Sequence, residues 1–339
     1  MLLDSYQIEL TADWICDQQT EDGLILWFKG GHGDPWNHIE AAMALSISGR
    51  IEEAELAYEW LRVNQLDNGA WWNYYLADSV EDFRIDTNVC AYIAVGALHH
   101  FKVTKDIKFL EKMWDCIHKA LDYVLSLQTE GGEILWCVEP DGSFGKYALL
   151  TGSSSILMSL KAGLLIASEL KINMLDWVLP LLKLNEAIKS KPGNFEPKIE
   201  YAMDWYYPVL SGAMQGSLGK SRIDKSFKTF VDGEKGVRCV SSNEWFTVAE
   251  TGELILTLNQ TGEADTAFEL FESTHKFRQP DGSYLTGIVY PDMSTFPKDE
   301  CSTYSAAAVL LANSALDLTL PGSDFFRFLS SDLNALEIF

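Results

Sequence analysis

Two kinds of apolar pattern alternate along the chain. In the first kind, apolar residues recur at a spacing of three and four with charged residues between them, as in 51–65 and 107–127. This spacing predicts an amphipathic helix with one buried face. The second kind is apolar on nearly every side, as in 89–98, 156–167 and 306–316. Because a helix without a polar face must be buried all round, the alternation predicts half-exposed helices paired with fully buried ones.

A turn that contains glycine separates each amphipathic segment from the buried segment that follows it. The clearest copies read QQTEDGLI, NQLDNGAWW, LQTEGGEILW and RQPDGSYLTG, and two weaker copies read KPGNF and KGVRCV. Glycine supplies the positive φ that a helix end or a tight turn requires. The glycines of the six copies are Gly23, Gly69, Gly132, Gly193, Gly236 and Gly282.

Six repeats, each with one half-exposed and one fully buried helix, predict an all-α fold, an α/α toroid. We expect six helical hairpins whose twelve helices form two concentric rings, in a single domain over 1–339 with an extra C-terminal helix at about 323–339. Strands should be few and confined to loops such as 131–144. An open α-solenoid is the alternative, but it does not need a fully buried helix in every unit. The inner helices are expected near 36–49, 87–103, 151–170, 204–219, 245–261 and 301–317.

Composition and charge narrow the possible partners. The 339 residues are 47% hydrophobic, which is enough for a large core, and the net charge is −23. Such a charge repels phosphate backbones and anionic lipid headgroups, so we expect no nucleic-acid or membrane partner. A neutral small molecule or an oligosaccharide is the substrate class that fits. The oligomeric state is left open.

The N-terminus and the cysteines add two expectations. The first residues, MLLDSYQIELTADW, have no basic segment before a long apolar stretch and already read as a helix, so we expect a cytoplasmic protein without a signal peptide. The six cysteines are scattered singly, without Cys-x-x-Cys or Cys/His ligand spacing. We therefore expect neither a metal site nor a disulfide framework, and no cofactor.

The segments that follow the glycine turns should all cross one end of the ring and meet at one mouth. They are rich in Trp and Tyr beside polar and charged residues. A sugar needs this combination, because its C–H face stacks on an aromatic ring while its hydroxyls bond to polar groups. The alternative is that the aromatic residues only plug the barrel. The candidate substrate-binding residues are Trp36, His38, Glu40, Trp71, Trp72, Tyr75, Arg84, Asn88, Trp136, Asp204, Trp205, Tyr206, Tyr207, Arg238, Trp245, Glu250 and Tyr304.

The stretch ALDYVLSLQTEGGEILWCVEPDGSFGKYALLTGSSSILMSLKAGLLIASEL, at 120–170, resembles the six-hairpin glycosidase superfamily, most of all its glucoamylase-like branch. In that branch a Glu just after the Trp of this region is the general acid, and the base precedes the sixth inner helix. Here Cys137 follows Trp136, so the resemblance implies that the next carboxylate, Glu139, is the acid. By position it implies Glu300 as the base, and Asp86, just before the second inner helix, is the alternative base.

A second resemblance runs through GDPWNHIEAAMAL, RIDTNVCAYIAVGALHHF and MDWYYPVLSG to bacterial proteins called prenyltransferase-like. Three functions are therefore compared. A glycoside hydrolase with a carboxylate acid/base pair is favoured. A non-catalytic carbohydrate-binding toroid comes second. A terpenoid cyclase or prenyltransferase-like enzyme comes last, because the chain has no Asp-rich motif of the DxDD kind and no basic cluster for a diphosphate.

Two further expectations concern the geometry of the mouth. At least three of Trp36, Trp71, Trp72, Trp136, Trp205 and Trp245 should line one cleft. Arg84 should pair with a nearby carboxylate, for which Asp86 is the expected partner, or reach the ligand, since charge-assisted hydrogen bonds are strong.

Overall fold

Helices account for most of the chain in this computed structural model, which describes residues 1–331. Fourteen α-helices lie within that range. In chain order they are α1 (Ser5–Cys16), α2 (Pro35–Ile47), α3 (Ile51–Asn64), α4 (Thr87–Ala91), α5 (Ile93–Thr104), α6 (Ile107–Leu125), α7 (Leu150–Glu169), α8 (Val178–Ser190), α9 (Ala202–Leu210), α10 (Gly216–Phe230), α11 (Val248–Gln260), α12 (Ala264–Thr274), α13 (Thr303–Leu316) and α14 (Phe325–Leu329).

The helices form two concentric rings. In the inner ring α2 packs on α5, α5 on α7, α7 on α9, α9 on α11, α11 on α13, and α13 returns to α2. The outer ring consists of α1, α3, α6, α8, α10 and α12, each packed against an inner helix. With α4 and α5 counted as one interrupted helix and α14 set apart, the rings contain twelve helices. The all-α toroid that the sequence predicted is therefore confirmed.

The burial of each helix follows its sequence pattern. Every residue of α13 except Tyr304 is buried, and α2 is buried from Pro35 to Ser46. In α6 only one face is buried, through residues such as Leu110, Ile117 and Leu121. The helix α7 is long and apolar enough to cross a membrane, but most of its length is enclosed by the other helices, so it is a core helix.

Three of the glycine turns share one construction that joins neighbouring hairpins. The side-chain amide of Gln19 donates to the carbonyl oxygens of Gly23 and Glu53, both at 3.0 Å. Gln65 and Gln128 do the same at the turns of Gly69 and Gly132. Each glutamine thus joins its own turn to the outer helix of the next hairpin or to its first residues.

The ring is closed by the turn at Gly282, which lies against the first outer helix. The carbonyl oxygen of Gly282 accepts a hydrogen bond from Thr11 Oγ1 at 2.9 Å, and a Cβ at this glycine would approach the backbone of Leu10 to 2.7 Å. The backbone N–H of Thr303 also donates to the carbonyl of Trp27 at 2.8 Å. The last hairpin is therefore held directly to the first.

Short strands occupy the loops at the mouth. They are β1 (Tyr74–Leu76), β2 (Ser79–Asp82), β3 (Ile85–Asp86), β4 (Cys137–Val138), β5 (Val231–Asp232), β6 (Gly236–Arg238), β7 (Trp245–Thr247), β8 (Gly287–Val289) and β9 (Ser294–Thr295). The strands β1 and β2 form a hairpin, and β3 pairs with β4, both antiparallel. The last five form one antiparallel sheet in the order β5-β6-β7-β8-β9.

Several predicted boundaries need correction. The fourth inner helix, expected over 204–219, ends at Leu210, because Gly212 adopts a φ of 73° and a new helix, α10, begins at Gly216. The second inner helix is interrupted at Tyr92. Gly193 lies in a short 3₁₀ helix and does not have a positive φ, so this weak copy of the turn is not a copy in structure.

Three other expectations concern the strands, the C-terminal helix and the number of domains. The strands are short and lie in the loops, as expected, and five of them join in one sheet outside the loop 131–144. Of the C-terminal helix expected at 323–339, the part Phe325–Leu329 is helical as α14, and residues 332–339 lie outside the described range. The single-domain assignment stays a prediction.

We expect Gly69→Ala to lower the free energy of unfolding by about 3 kcal/mol, since an alanine would combine an unfavourable positive φ with a steric clash. Gly69 has a φ of 93°, and a Cβ would stand 2.4 Å from the carbonyl oxygen of Lys119. Denaturant unfolding followed by circular dichroism measures the loss. The control is Gly193→Ala, which places its Cβ in open space. Equal stability of the two variants would contradict the role of the turn.

Candidate active site

A cleft of about 370 Å³ opens at the end of the ring where the inner helices begin. Its walls come from the first turns of five inner helices and from the loops that precede α2, α4 and α7. Aromatic rings, amides and two carboxylates line it. The lining residues are Trp27, Asp34, Trp36, Asn37, Asn73, Tyr74, Arg84, Asp86, Asn88, Val89, Trp136, Thr151, Met203, Tyr207 and Tyr304.

Two N-capping aspartates face this cleft from neighbouring inner helices. Asp34 precedes Pro35 at the start of α2, and its Oδ1 accepts from the backbone N–H of Asn37 at 3.0 Å. Asp86 caps α4, and its Oδ1 accepts from the backbone N–H groups of Asn88 and Val89 at 2.9 and 3.2 Å. An aspartate before a helix satisfies amides that would otherwise lack a partner, which explains why both positions carry Asp.

Burial shifts the proton affinity of both carboxylates upward. Burial raises the pKa of Asp86 to about 6, although the amides of Val89 and Asn88 oppose this shift. The Asp34 charge raises the pKa of Asp86 further, so the two groups interact. The pKa of Asp34 itself is raised by burial, against the hydrogen bonds from Asn37 and from Trp27 Nε1 at 2.7 Å. Two carboxylates with raised pKa values in one cleft are typical of acid–base chemistry.

Flat aromatic surfaces accompany the two carboxylates. Trp36 stacks on Tyr92 with ring centroids 3.7 Å apart, and Trp136 stacks on Tyr147 at 5.6 Å with the planes 10° apart. Tyr74 meets Trp27 edge to face at 6.4 Å. Such supported rings keep a fixed orientation, which is what stacking on a sugar ring needs.

A buried carboxylate holds the tyrosines of the cleft floor. Glu253 Oε1 accepts from the hydroxyls of Tyr207 at 2.7 Å and Tyr304 at 2.6 Å, and Oε2 accepts from Tyr206. Burial raises the pKa of Glu253 to about 7, although the three tyrosine hydroxyls lower it. Tyr207 and Tyr304 line the cleft. Glu253 therefore orients two rings of the binding surface from below.

A second buried carboxylate lies under Trp36. Glu40 accepts a hydrogen bond from Tyr92, the ring on which Trp36 stacks. Burial raises the pKa of Glu40 to about 8, against the hydrogen bond from Tyr92. Glu40 does not line the cleft, so the prediction that it contacts the substrate directly is wrong, and its place is behind the wall.

Arg84 has a different partner from the expected one. Its guanidinium donates to Asp82 Oδ2 from Nε at 3.0 Å and from Nη2 at 2.7 Å, so the predicted pairing with Asp86 is wrong. Asp82 is the last residue of β2 and lies two residues before Arg84 in the chain, so the pair is a local contact. Arg84 still lines the cleft and lies 5.9 Å from the centre of the Trp136 ring.

The other two predicted catalytic carboxylates lie further from the centre of the cleft. Glu139 sits in the third loop beside Cys137, whose thiol is 3.6 Å from Glu139 Oε1, and its charge acts on Arg84 at the edge of the cleft. Glu300 accepts from Thr286 Oγ1 at 2.9 Å and does not line the cleft. The helix α13 is capped by Ser302 and not by Glu300. No observation tests their catalytic roles, which stay predictions.

Three predicted binding residues belong to the core. His38 is fully buried, with Nδ1 accepting from Ile25 N at 2.9 Å and Nε2 2.8 Å from Ala57 O. Trp71 is fully buried and donates to Leu61 O. Tyr75 accepts from the backbone N–H of Trp72. The prediction that these three side chains contact a substrate is therefore wrong.

The remaining predicted residues are spread over several places. Arg238 pairs with Glu244 at 2.9 Å in the five-stranded sheet, and Trp245 donates to Phe296 O there. Asp204 and Trp205 line a separate groove of about 460 Å³. Three others also lie outside the cleft wall: Trp72 packs on Phe83, and Tyr206 and Glu250 are buried.

The expectation that three of the six tryptophans share a cleft is wrong. Only Trp36 and Trp136 line it, and the third tryptophan there is Trp27, which the sequence interpretation left out. Asn88, Tyr207 and Tyr304 do line the cleft. Glu253 was missed because it lies within an apolar helix. The signal available for Asp34 was the Asp-Pro pair, which is typical of a helix start.

Residues 1–331 contain no obvious metal-binding site. No group of three or more His, Cys, Asp or Glu side chains is placed there to hold an ion.

Comparison with known proteins gives one sequence relative and many structural neighbours. No protein-family model matches the chain. The chain is 41% identical over 321 residues to the "MMP endo-(1,4)-3-O-methyl-alpha-D-mannosidase" of Mycolicibacterium hassiacum, covering 95% of this chain and 89% of that protein.

The structural neighbours have the same fold. A wild-type glycosidase matches with a TM-score of 0.74 at 12% identity, over 94% of this chain and 100% of the other. A novel α-amylase from Clostridium perfringens matches at 0.68, also 12% identical, over 92% and 98%. At these identities the likeness shows a glycosidase-like toroid and nothing finer. The prenyltransferase-like resemblance has no support among these proteins.

We expect Tyr304→Phe to raise KM several-fold, because the ring would lose the hydrogen bond to Glu253 that fixes it in the cleft. A neutral hydrogen bond is worth about 1 kcal/mol, or roughly a fivefold change. The control is Tyr206→Phe, which removes another bond to Glu253 from a ring that does not line the cleft. Steady-state kinetics with an oligosaccharide substrate compares them. Equal KM values in the two variants would contradict the positioning role of Glu253.

Proposed function

Since the chain is a glycoside hydrolase and belongs to the same family as the MMP endo-(1,4)-3-O-methyl-alpha-D-mannosidase of Mycolicibacterium hassiacum, we propose that it hydrolyses α-(1,4) linkages within chains of 3-O-methylated mannose. This substrate is neutral, which suits a protein with a net charge of −23. Within the wider classification we place the chain in the six-hairpin glycosidase superfamily.

The observation that carries the proposal is the pair Asp34 and Asp86 in one aromatic-lined cleft. Hydrolysis of a glycosidic bond needs one carboxylic acid to protonate the leaving oxygen and a second carboxylate as base or nucleophile. Asp34 and Asp86 cap neighbouring inner helices and face the same space, and their charges interact. The supported rings of Trp36 and Trp136 supply surfaces on which sugar rings stack.

We assign the roles of the pair from their surroundings. Asp34 is the more deeply buried of the two, and burial raises its pKa, so it is the general acid. Asp86 is partly exposed to the cleft and accepts two backbone N–H bonds, with Arg84 nearby to favour its charge. Asp86 is therefore the ionised partner at neutral pH. Two carboxylates whose surroundings differ in this way divide acid and base between them.

Glu139 is the alternative general acid. Its charge acts on Arg84, and it lies in the loop where the glucoamylase-like resemblance expects the acid. Asp34 is favoured over Glu139 because it lines the cleft and Glu139 does not.

We expect Asp34→Asn and Asp86→Asn each to lower kcat by about 10²- to 10⁴-fold, which is the usual contribution of a general acid or base. Asparagine caps a helix about as well as aspartate, so folding should be retained. The control is Asp106→Asn, which changes the N-cap of the outer helix α6. Product release from a 3-O-methylmannose oligosaccharide measures turnover. Full activity in either cleft variant would remove that residue from the mechanism, and loss confined to Glu139→Gln would move the acid to Glu139.

We expect kcat/KM to fall as the pH is lowered through about 6, because Asp86 must be ionised to act as base and its pKa is about 6. At high pH the activity should fall again as the general acid of the pair loses its proton, and the two limbs describe the coupled pair. A pH series of kcat/KM measures this profile. Activity that keeps rising below pH 5 would contradict Asp86 as the base.

A further inference from the structure

A small side pocket of about 100 Å³ opens from the cleft beside Asp86. It shares Asp86, Asn88, Trp136 and Thr151 with the cleft, so a molecule bound in the cleft can reach it directly. Since one water occupies about 30 Å³ in the liquid, the pocket has room for about three groups of that size. A substituent of a bound sugar ring fits this space, and a second sugar ring does not.

The walls of the pocket combine aliphatic side chains with two unsatisfied polar atoms. Ile134 and Ile156 are almost completely buried, and Leu149 completes the aliphatic wall. Within the described part of the chain, Asn88 Oδ1 and Ser153 Oγ are buried and have no hydrogen-bond partner. Buried polar groups without a partner cost free energy, so two of them in one pocket point to a ligand that supplies the partners.

The two polar atoms need different hydrogen-bond partners. The amide oxygen of Asn88 can only accept a hydrogen bond, so its partner must be a donor such as a hydroxyl. The hydroxyl of Ser153 can donate, and an ether oxygen can accept from it. The aliphatic wall cannot form a hydrogen bond with a hydroxyl, but the burial of a methyl group against it is favourable. A methoxy group beside a free hydroxyl satisfies all three demands.

We propose that this side pocket, made by Asn88, Ile134, Leu149, Ser153 and Ile156, binds the 3-O-methyl group of the sugar next to the scissile bond. This inference rests on the proposed function, because it names the part of the site that recognises the methylated substrate. The methyl carbon packs on Leu149 and the two isoleucines, Ser153 donates to the ether oxygen, and the neighbouring hydroxyl donates to Asn88.

A cluster of ordered waters is the other occupant to be tested. Each buried water usually makes about three hydrogen bonds. The hydroxyl, amide and carboxylate side chains that line the pocket are those of Asp86, Thr87, Asn88, Thr151 and Ser153. The two threonine hydroxyls already donate elsewhere, to Leu135 O and Asp204 Oδ1, which leaves few free partners for three waters. If water filled the pocket, methylation of the substrate would not matter to the enzyme.

The test compares two substrates of equal length and linkage, an α-(1,4)-linked 3-O-methylmannose oligosaccharide and its unmethylated counterpart. We expect kcat/KM to be at least about tenfold higher for the methylated compound, as is usual when a pocket accepts one additional apolar carbon. Leu149→Phe narrows the pocket from a partly exposed position, so it should lower the ratio of kcat/KM between the methylated and the unmethylated compound at least about tenfold.

A serine pair on α7 supplies the matched control. Ser153→Ala should lower kcat/KM for the methylated compound about fivefold, the value of one neutral hydrogen bond. Ser155 is also buried, and its Oγ also has no partner in the described chain, but it does not line the pocket. Ser155→Ala should leave the preference for the methylated compound unchanged.

The outcomes separate the two proposals. Hydrolysis of neither mannoside by the wild-type enzyme would overturn the proposed function and this inference with it. Equal kcat/KM for both compounds, or equal effects of Ser153→Ala and Ser155→Ala, would overturn the pocket alone. If circular dichroism shows that Leu149→Phe does not fold, the two serine variants decide, together with calorimetric binding of 3-O-methyl-D-mannose and D-mannose to the wild type.

Discussion

The inner helix α13 packs against α2, and the turn at Gly282 lies on Leu10 of the first outer helix. A ring closed in this way brings the first turns of the inner helices to one mouth. The N-terminus of a helix carries unpaired N–H groups and a partial positive charge, which together stabilise a carboxylate. The closed ring therefore concentrates sites for buried carboxylates at one end, and the cleft with Asp34 and Asp86 lies there.

Glu40, Glu253, Asp34 and Asp86 are four of the buried or half-buried carboxylates at this end, and their partners distinguish them. Glu40 and Glu253 are held by tyrosine hydroxyls behind the cleft wall. Asp34 and Asp86 are held from one side by N–H donors and remain open to the cleft. Burial raises the pKa of all four, but only the last two can exchange a proton with a bound sugar. The same physical effect thus serves structure in one pair and the proposed chemistry in the other.

The toroid could be predicted well from the sequence because the pattern that indicates it recurs along the chain. The glutamine and glycine of each clear turn and the apolar inner helices carry the same information several times. The direction of a side chain could not be predicted in this way. Trp71 and Trp136 both follow a glycine turn, yet Trp71 is in the core and Trp136 lines the cleft. Local side-chain contacts in the loops, such as Arg84 with Asp82, also leave no periodic trace. The mouth could be located from the sequence, but not the set of residues that faces it.

The central claim is that Asp34 and Asp86 act on a sugar bound in the cleft between Trp36 and Trp136. A crystal structure of Asp34→Asn with a bound 3-O-methylmannose oligosaccharide tests this most directly. The account predicts a glycosidic oxygen within hydrogen-bond distance of residue 34, with a sugar ring stacked on Trp36 or Trp136. An oligosaccharide bound instead in the groove beside Trp205, or a glycosidic oxygen next to Glu139 and remote from residue 34, would contradict it.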